Sequence, residues 1–304
     1  MTRTVTAGLD GSPESRAAAE WAAREARLRD LPLKILHVFE VFEPAPLTVA
    51  QAPLLGAETG QDWAERIPFE AAEGLRLRHP GLEVITEQVH GEPSQMLAEA
   101  ADAAELLALG SRGLGGIGGF MTGAVSLSVI AHAVRPVVLV RAGEQAADEH
   151  AADPVGIPSA ATPFRPVVVG LDTGDVDETL LEFAFDAAAR RDAPLRIVHG
   201  WPEPPTAFYR FYGDAELSGT LSRGQAAALT EAVRPWRHKF PNVDVIEASR
   251  CGSAAQVLVT AAGDASLAVV GRRVRTGSLG AHIGHVTHAV LHHVVAPVAV
   301  VPHG

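Results

Sequence analysis

The chain has 304 residues, of which 47% are hydrophobic and 20% are charged, and its formal net charge is −11 at pH 7. This composition is typical of a globular protein and excludes a disordered chain, and no apolar stretch is long enough for a membrane helix. The negative charge argues against nonspecific nucleic-acid binding, which requires Lys and Arg to neutralise phosphates, but it is compatible with a small anion in a local pocket.

The first half alternates short apolar strands with longer helical patterns. The sequence predicts strands at 5–9, 33–39, 82–89, 106–109 and 136–140, and helices at 13–29, 62–78, 93–103 and 123–133. The first helix has a clear start, since Ser12 is a good N-cap, Pro13 occupies the first helical position and Glu14 lies in the first turn.

The second half repeats this order. Strands are predicted at 167–171, 195–199, 243–248, 267–270 and 298–301, and helices begin near 175, 226, 254 and 285. Asp175 and Glu178 have the spacing of a capping box, which predicts a helix start at Asp175. Strict alternation of strands and helices predicts parallel sheets with helices on both faces, so each half is expected to be a doubly wound α/β domain.

The two halves are copies of one domain. Three pairs of residues are each 162 positions apart: Asp10 and Asp172, Pro32 and Pro194, and His37 and His199. A near-constant offset over half a chain indicates a duplicated domain rather than an array of short repeats. We assign residues 1–142 to the first domain, 143–163 to a polar linker and 164–304 to the second domain. The fifth strands of both domains are short apolar edges, so we expect the domains to associate through them.

A glycine-rich loop follows the fourth strand of the first domain. Seven glycines occur between Gly110 and Gly123, where they leave successive backbone N–H groups free to form a nest for an anion. The helix that starts near Gly123 would add its N-terminal amides, and Arg112 a positive charge. The alternative interpretation of this glycine-rich segment is a flexible turn without a ligand. Two known phosphate-binding motifs do not fit it. A dinucleotide-binding fingerprint belongs after the first strand, and a P-loop ends in Gly-Lys-Ser/Thr.

At this point the chain resembles the universal stress protein family in its tandem-domain form. The resemblance covers nearly the whole chain, and the residues that carry it are Asp10, His37-Val38, Gly110, Gly113 and Gly123. It implies a five-stranded parallel sheet in the order 3-2-1-4-5 in each half and, in one subgroup of the family, bound ATP, with or without Mg²⁺.

The resemblance also implies which residues meet the nucleotide. Gly8, Leu9 and Asp10 would line the adenosine, and the backbone of Val38 would meet the adenine edge. The contacts to ribose and phosphates would come from the glycine-rich segment, namely Gly110, Ser111, Arg112, Gly113, Gly123, Ala124, Val125 and Ser126.

One position departs from the family pattern. The family's ATP binders usually carry Ser or Thr where this chain has Ala124. The lost hydroxyl contact is worth about 0.5–1.5 kcal/mol. Ser126, which lies further into the helix, is expected to compensate.

The second copy departs further. Val274 stands where the first copy has Gly113, and a β-branched residue is poorly suited to positive φ. Either this site is degenerate, or the loop arginines at 272, 273 and 275 hold phosphate in place of the backbone. We expect the second copy to be degenerate or to bind ATP more weakly than the first, at a site formed by Asp172, Gly271, Arg272, Gly284 and His285.

The histidines and the cysteine give little indication of a catalytic or metal site. Histidines at 282, 285, 288, 292 and 293 lack acidic or cysteine partners, so no metal site is predicted. His37 and His199 lie within apolar strands and are expected to be hydrogen-bonded structural residues. Cys251 is the only cysteine, which fits a reducing compartment, and nothing marks it as a nucleophile.

The sequence therefore predicts a cytoplasmic, non-catalytic, ATP-binding regulatory protein that responds to stress. The alternatives are an ATP-using hydrolase or transferase of a related fold, and an interaction protein without a ligand. An enzyme would need a metal-binding carboxylate or a lysine near the phosphates, and the segment 110–126 contains neither. We expect neither a nucleic-acid nor a membrane partner; the protein partner is not identified, and a homodimer is compatible with the sequence.

Overall fold

The elements of the first half follow the predicted alternation. The structure is a computed structural model that describes residues 3–39, 60–111, 123–157, 159–203, 214–274 and 283–304. In chain order the first half contains β1 (Val5–Gly8), α1 (Pro13–Arg29), β2 (Leu33–Phe39), α2 (Gly60–Arg78), β3 (Val84–His90), α3 (Pro93–Ala103), β4 (Leu106–Ser111), α4 (Ala124–His132) and β5 (Val137–Arg141). The predicted start of α1 is confirmed, because the Ser12 side chain accepts a hydrogen bond from the Ser15 N–H.

The second half contains β6 (Val167–Gly170), α5 (Glu178–Arg191), β7 (Leu195–Trp201), α6 (Asp214–Lys239), β8 (Val245–Cys251), α7 (Ala254–Ala261), β9 (Leu267–Arg273), α8 (His285–His293) and β10 (Val298–His303). The predicted helix start at Asp175 is wrong. The N-cap of α5 is Asp177, whose carboxylate accepts from the Leu180 N–H at 3.0 Å. Asp175 instead lies in the preceding turn, where its N–H donates to the Asp172 carbonyl.

All ten strands form one sheet. Their order is β3-β2-β1-β4-β5-β10-β9-β6-β7-β8, so each half has the predicted order 3-2-1-4-5. Pairing within each half is parallel, which buries the central strands β1, β4, β6 and β9 between layers of helices. The α/β fold class is therefore confirmed.

The two halves meet at the fifth strands, as expected. β5 and β10 pair antiparallel, with Val138 opposite Ala299 and Leu139 opposite Val298. Because successive strand residues point to opposite faces, Val138 and Ala299 enter one hydrophobic core, and Leu139 and Val298 the other. Each core is therefore continuous through both halves. Helices α1, α2, α5 and α6 cover one face, and α3, α4, α7 and α8 cover the other.

A buried ion cluster joins α1 and α5 across this junction. Glu25 is 1% exposed, and its carboxylate accepts from Arg29 at 2.7 Å and from Arg191 at 2.6 Å. Arg29 and Arg191 occupy equivalent positions in the two halves. Burial opposes ionisation of Glu25, but the two guanidinium groups outweigh it and hold the pKa below its ordinary value.

Two further arginines cross the junction on the opposite face. Arg272 of β9 donates to the carbonyl of Ala133, the C-cap residue of α4. Arg141 of β5 donates to the His292 carbonyl in the last turn of α8 at 3.4 Å. Cations are favourable at helix C-termini, where the dipole is negative. Each half thus stabilises a helix end of the other.

Residues shortly after β5 contact α1. Arg24 contacts Glu144 at 2.6 Å and Glu149 at 3.2 Å, and His150 forms an isolated antiparallel bridge with Phe164. Burial raises the pKa of Glu144 to about 7; Arg24 opposes this rise and the neighbouring Glu149 carboxylate adds to it. None of the described helices has the combination of length and hydropathy that crossing a bilayer requires.

Replacing Glu25 with Gln should lower the free energy of unfolding by about 3–5 kcal/mol, because the buried Arg191 loses its carboxylate and Arg29 retains only Asp186, at 3.1 Å. Urea denaturation measures this loss. Glu73→Gln is the matched control: Glu73 pairs with Arg76 at 2.7 Å but is 54% exposed, so its loss should cost at most about 1 kcal/mol. If the two variants lost equal amounts of unfolding free energy, Glu25 would not stabilise the junction of the halves as we infer.

The Glu144 carboxyl predicts a pH dependence. In the folded protein it keeps its proton up to about pH 7, whereas its ordinary pKa is 4.5. The folded state binds more protons between these values, so the free energy of unfolding should fall as pH rises through this window. Glu144→Gln should flatten that slope in denaturation curves recorded at several pH values, and Glu70→Gln, which changes an exposed ion pair, should not. An unchanged slope in Glu144→Gln would assign the dependence to other groups.

Candidate functional site

The first half contains a cavity of about 390 Å³ at the carboxyl ends of its strands. The strand order reverses between β1 and β4, and the ends of both strands, Gly8 and Gly110, line the cavity. Ligands of open α/β sheets bind at such a reversal point. The topology therefore creates this pocket where the sequence places its candidate residues.

Most of the predicted residues meet here. Those that line the cavity are Gly8, Leu9, Asp10, Val38, Gly110, Gly123, Ala124, Val125 and Ser126. Ser111 does not join them. Its side chain is buried and its hydroxyl donates to the Val140 carbonyl of β5 at 3.2 Å, because consecutive residues of a strand point to opposite faces. Arg112 and Gly113 lie outside the described residues.

Several lining residues were not predicted from the sequence. Leu36, Leu97 and Leu109 form apolar walls, and Pro93 lies beside them. Their pattern is that of ordinary core residues, since each is apolar and lies within a predicted strand or helix. The available signal is position: Leu36 is paired with Gly8, the last residue of β1, and Leu109 precedes Gly110 near the end of β4.

Asp10 is an ionised carboxylate at the end of β1. Its Oδ1 accepts from the Ser12 N–H at 2.9 Å and from the Ser12 hydroxyl. Burial opposes ionisation, but hydrogen bonds from Ser12 and Ser15 outweigh it, so the pKa of Asp10 lies below its ordinary value. The cavity therefore has a fixed hydrogen-bond acceptor at this edge.

The N-terminus of α4 forms the opposite edge. Its N-cap Gly123 makes no side-chain capping bond, in contrast to Ser12 at α1 and Glu92 at α3. The first amides of α4 therefore receive no cap from Gly123, and Gly123, Ala124, Val125 and Ser126 line the cavity at the positive end of the helix dipole. This is the arrangement that binds anions.

The Ser126 hydroxyl is hydrogen-bonded within the fold. Its Oγ donates to the Gly110 carbonyl at 3.2 Å, and Thr287 makes the same bond to the Gly271 carbonyl at 2.8 Å. The hydroxyl proton thus ties the helix to the end of the fourth strand in both halves. The Ser126 hydroxyl would have to break its bond to Gly110 to donate to a phosphate, and its compensation for Ala124 stays a prediction.

Gly110 is required by packing. A Cβ on Gly110 would lie 2.6 Å from the Glu14 carbonyl carbon and 2.7 Å from the Ser15 nitrogen. Gly123 differs, because its φ of −62° and ψ of 149° are accessible to any residue. A substitution at Gly123 therefore tests the ligand space, whereas one at Gly110 would disturb the fold.

The two strand histidines have the predicted structural role. His37 donates from Nδ1 to the Leu9 carbonyl at 2.6 Å, and His199 from Nδ1 to the Leu171 carbonyl at 3.0 Å. A carbonyl only accepts, so Nδ1 carries the proton in both rings. These bonds tie the second strand to the end of the first strand beside each cavity.

The second half has a larger cavity, of about 800 Å³, at the equivalent place. All five predicted residues line it: Asp172, Gly271, Arg272, Gly284 and His285. The sequence analysis did not identify Trp201 and Gln225, which also line it; the Gln225 side chain contacts His199 Nε2 at 2.9 Å. The greater volume shows that departures from the glycine pattern have not closed this site.

The described arginines of the second half are engaged elsewhere. Arg272 is 4% exposed and donates to Ala133 in the other half, and Arg273 pairs with Asp175. Asp175 and Asp177 also line the cavity and make its rim acidic. Arg275 lies outside the described residues. The described residues therefore do not form the arginine cradle that the sequence left open.

No group of three or more His, Cys, Asp or Glu side chains within the described ranges is arranged to hold a metal ion. The backbone amides of α4 and the Asp10 carboxylate of the first cavity are suited to binding a polar ligand with an anionic tail.

Comparison with known proteins identifies the family. The universal stress protein family model matches residues 1–141 and 163–302. A universal stress protein of Mycobacterium tuberculosis is 32% identical over 309 residues, covering 97% of this chain and 96% of the relative. A relative from Mycolicibacterium smegmatis is 31% identical over 304 residues, covering 98% and 96%.

A solved structure shows the same fold. The crystal structure of a universal stress protein from Archaeoglobus fulgidus matches with a TM-score of 0.68 and 15% identity, and the match covers 100% of both chains. Since the family model matches both halves and the relatives align over nearly their full length, the chain belongs to the universal stress protein family.

Proposed function

We propose that the first half binds ATP and that the protein is a non-catalytic regulator whose partner contacts depend on the bound nucleotide. The observation that carries this proposal is the convergence of an uncapped helix N-terminus, an ionised strand-end carboxylate and apolar walls on one cavity of about 390 Å³. Each of these three features matches one part of a nucleotide.

The phosphate end is supported by α4. Ala124 and Val125 follow Gly123 at the start of the helix and line the cavity with it, and Gly123 offers their amides no side-chain cap. Amides and the helix dipole together favour phosphate oxygens. Since the backbone at Gly123 does not require glycine, we attribute the missing side chain to the needs of a ligand.

The nucleoside end is supported by β1 and β2. The Asp10 carboxylate can accept hydrogen bonds from ribose hydroxyls, and Leu36, Leu97 and Leu109 offer an apolar surface for a base. Where Mg²⁺ accompanies ATP, the carboxylates available in the described lining are Asp10 and Glu14.

We further propose that the second half binds ATP more weakly. The guanidinium groups of Arg272 and Arg273 are held by Ala133 and Asp175, so phosphate would have to displace existing contacts. The rim carboxylates of Asp175 and Asp177 would repel it.

Gly123→Val should reduce ATP affinity by at least about tenfold, because the side chain would fill the space over the α4 amides, and 1.4 kcal/mol suffices for that change. Isothermal titration calorimetry measures it. Gly284→Val is the matched control: Gly284 is the N-cap of α8, has φ of −61° and has open space around it. We expect one tight nucleotide per chain, lost in Gly123→Val and kept in Gly284→Val. Unchanged affinity in Gly123→Val would refute the site, and two equivalent tight sites would refute the asymmetry.

Hydrolysis of ATP should be slow and incidental. In the described lining of the first cavity the titratable side chains are Asp10 and Glu14, and the Asp10 Oδ1 is held by Ser12. Steady-state release of phosphate should therefore stay far below the median enzyme turnover of about 10 s⁻¹. Turnover near that value, abolished by Asp10→Asn or Glu14→Gln, would favour the alternative of an ATP-using enzyme.

A further inference from the structure

Two histidines on the outer face of α8 lie next to each other. His288 and His292 are one helical turn apart and therefore share a face. Their Nε2 atoms are 3.2 Å apart, and their ring centroids 4.3 Å. The two Nε2 atoms therefore lie within hydrogen-bonding distance of each other.

That separation matches a chelating pair. Two imidazole nitrogens bound to one zinc ion at about 2.05 Å in tetrahedral geometry lie about 3.3 Å apart. A metal ion would take the place of the proton between His288 and His292, with both rings turned so that their Nε2 lone pairs meet at the ion.

The fold itself does not require this pair. The duplicated helix α4 carries Leu127 and Ala131 at the equivalent positions, 161 residues earlier. In the second half the pair lines a shallow hollow of about 450 Å³, and His285 and His293 line the same hollow. The pair His288 and His292 is thus specific to one copy, whereas His293 has an equivalent in His132.

We propose that His288 and His292 chelate a divalent transition-metal ion of the zinc, nickel or copper class through their Nε2 atoms. Imidazole favours these ions, whereas Mg²⁺ and Ca²⁺ require oxygen ligands. With two protein ligands the site is open, and water fills the other positions unless His285 or His293 turns toward the metal. Such a site exchanges its metal, in contrast to a closed structural zinc site.

Calorimetric titration of untagged protein with ZnCl₂ tests this proposal. His288→Gln and His292→Gln should each lower the zinc affinity by about 100-fold, because a chelating partner binds at high effective concentration. The double variant should be little weaker than either single variant. His132→Gln provides the matched control, since His132 is an exposed histidine of the duplicated helix α4. Glutamine keeps good helix propensity, and thermal melting without metal verifies the fold of each variant.

Two results would overturn the proposal. If each single variant lost zinc stoichiometry while the affinity stayed the same, the histidines would bind independently. If His132→Gln weakened binding as much as the others, the zinc would be bound nonspecifically at the surface. Electron paramagnetic resonance of one equivalent of Cu²⁺ should show two coordinated imidazole nitrogens in the wild type and one in either single variant. Neither measurement involves ATP, so its outcome is independent of the proposed nucleotide site.

Discussion

The pairing of β5 with β10 is the constraint on which the rest of the structure depends. A five-stranded parallel sheet ends in a strand whose backbone groups lack a partner, and each half of this chain has such an apolar edge. Antiparallel pairing satisfies both edges at once. It also makes both helical layers continuous, which brings Glu25 between arginines of the two halves and Arg272 to the end of α4.

The candidate site is a consequence of the same sheet order. Because β1 and β4 are neighbours whose following helices lie on opposite faces, a gap opens beyond Gly8 and Gly110. Two kinds of glycine meet there. Gly110 lets the start of α1 approach β4 closely, while the backbone of Gly123 at the start of α4 is accessible to any residue. Packing requires a glycine at position 110, whereas a glycine at position 123 is what a bound ligand would require.

Duplication has allowed the two copies to diverge in what their loops and helices do. Position 272 is an arginine that stabilises the other half, whereas the equivalent Ser111 bonds within its own sheet. The helix after the loop carries His288 and His292 in one copy, and Leu127 and Ala131 in the other. The shared residues maintain the fold, since both copies need the same strand ends and the bonds made by Ser126 and Thr287.

The sequence by itself determined the duplication, the alternation of strands and helices and the capping of α1 by Ser12, because periodicity and turn residues are local signals. The resemblance to the universal stress protein family implied most of the predicted residues that line the first cavity. One local signal misled: Asp177 rather than Asp175 caps α5, since the Asp172 carbonyl holds Asp175 in the turn. Only the tertiary structure decided where Ser111 and Arg272 point, which leucines wall the cavity and how far apart two histidine nitrogens lie. These depend on which strands become neighbours and how closely helices pack on them, and no local pattern encodes such distances.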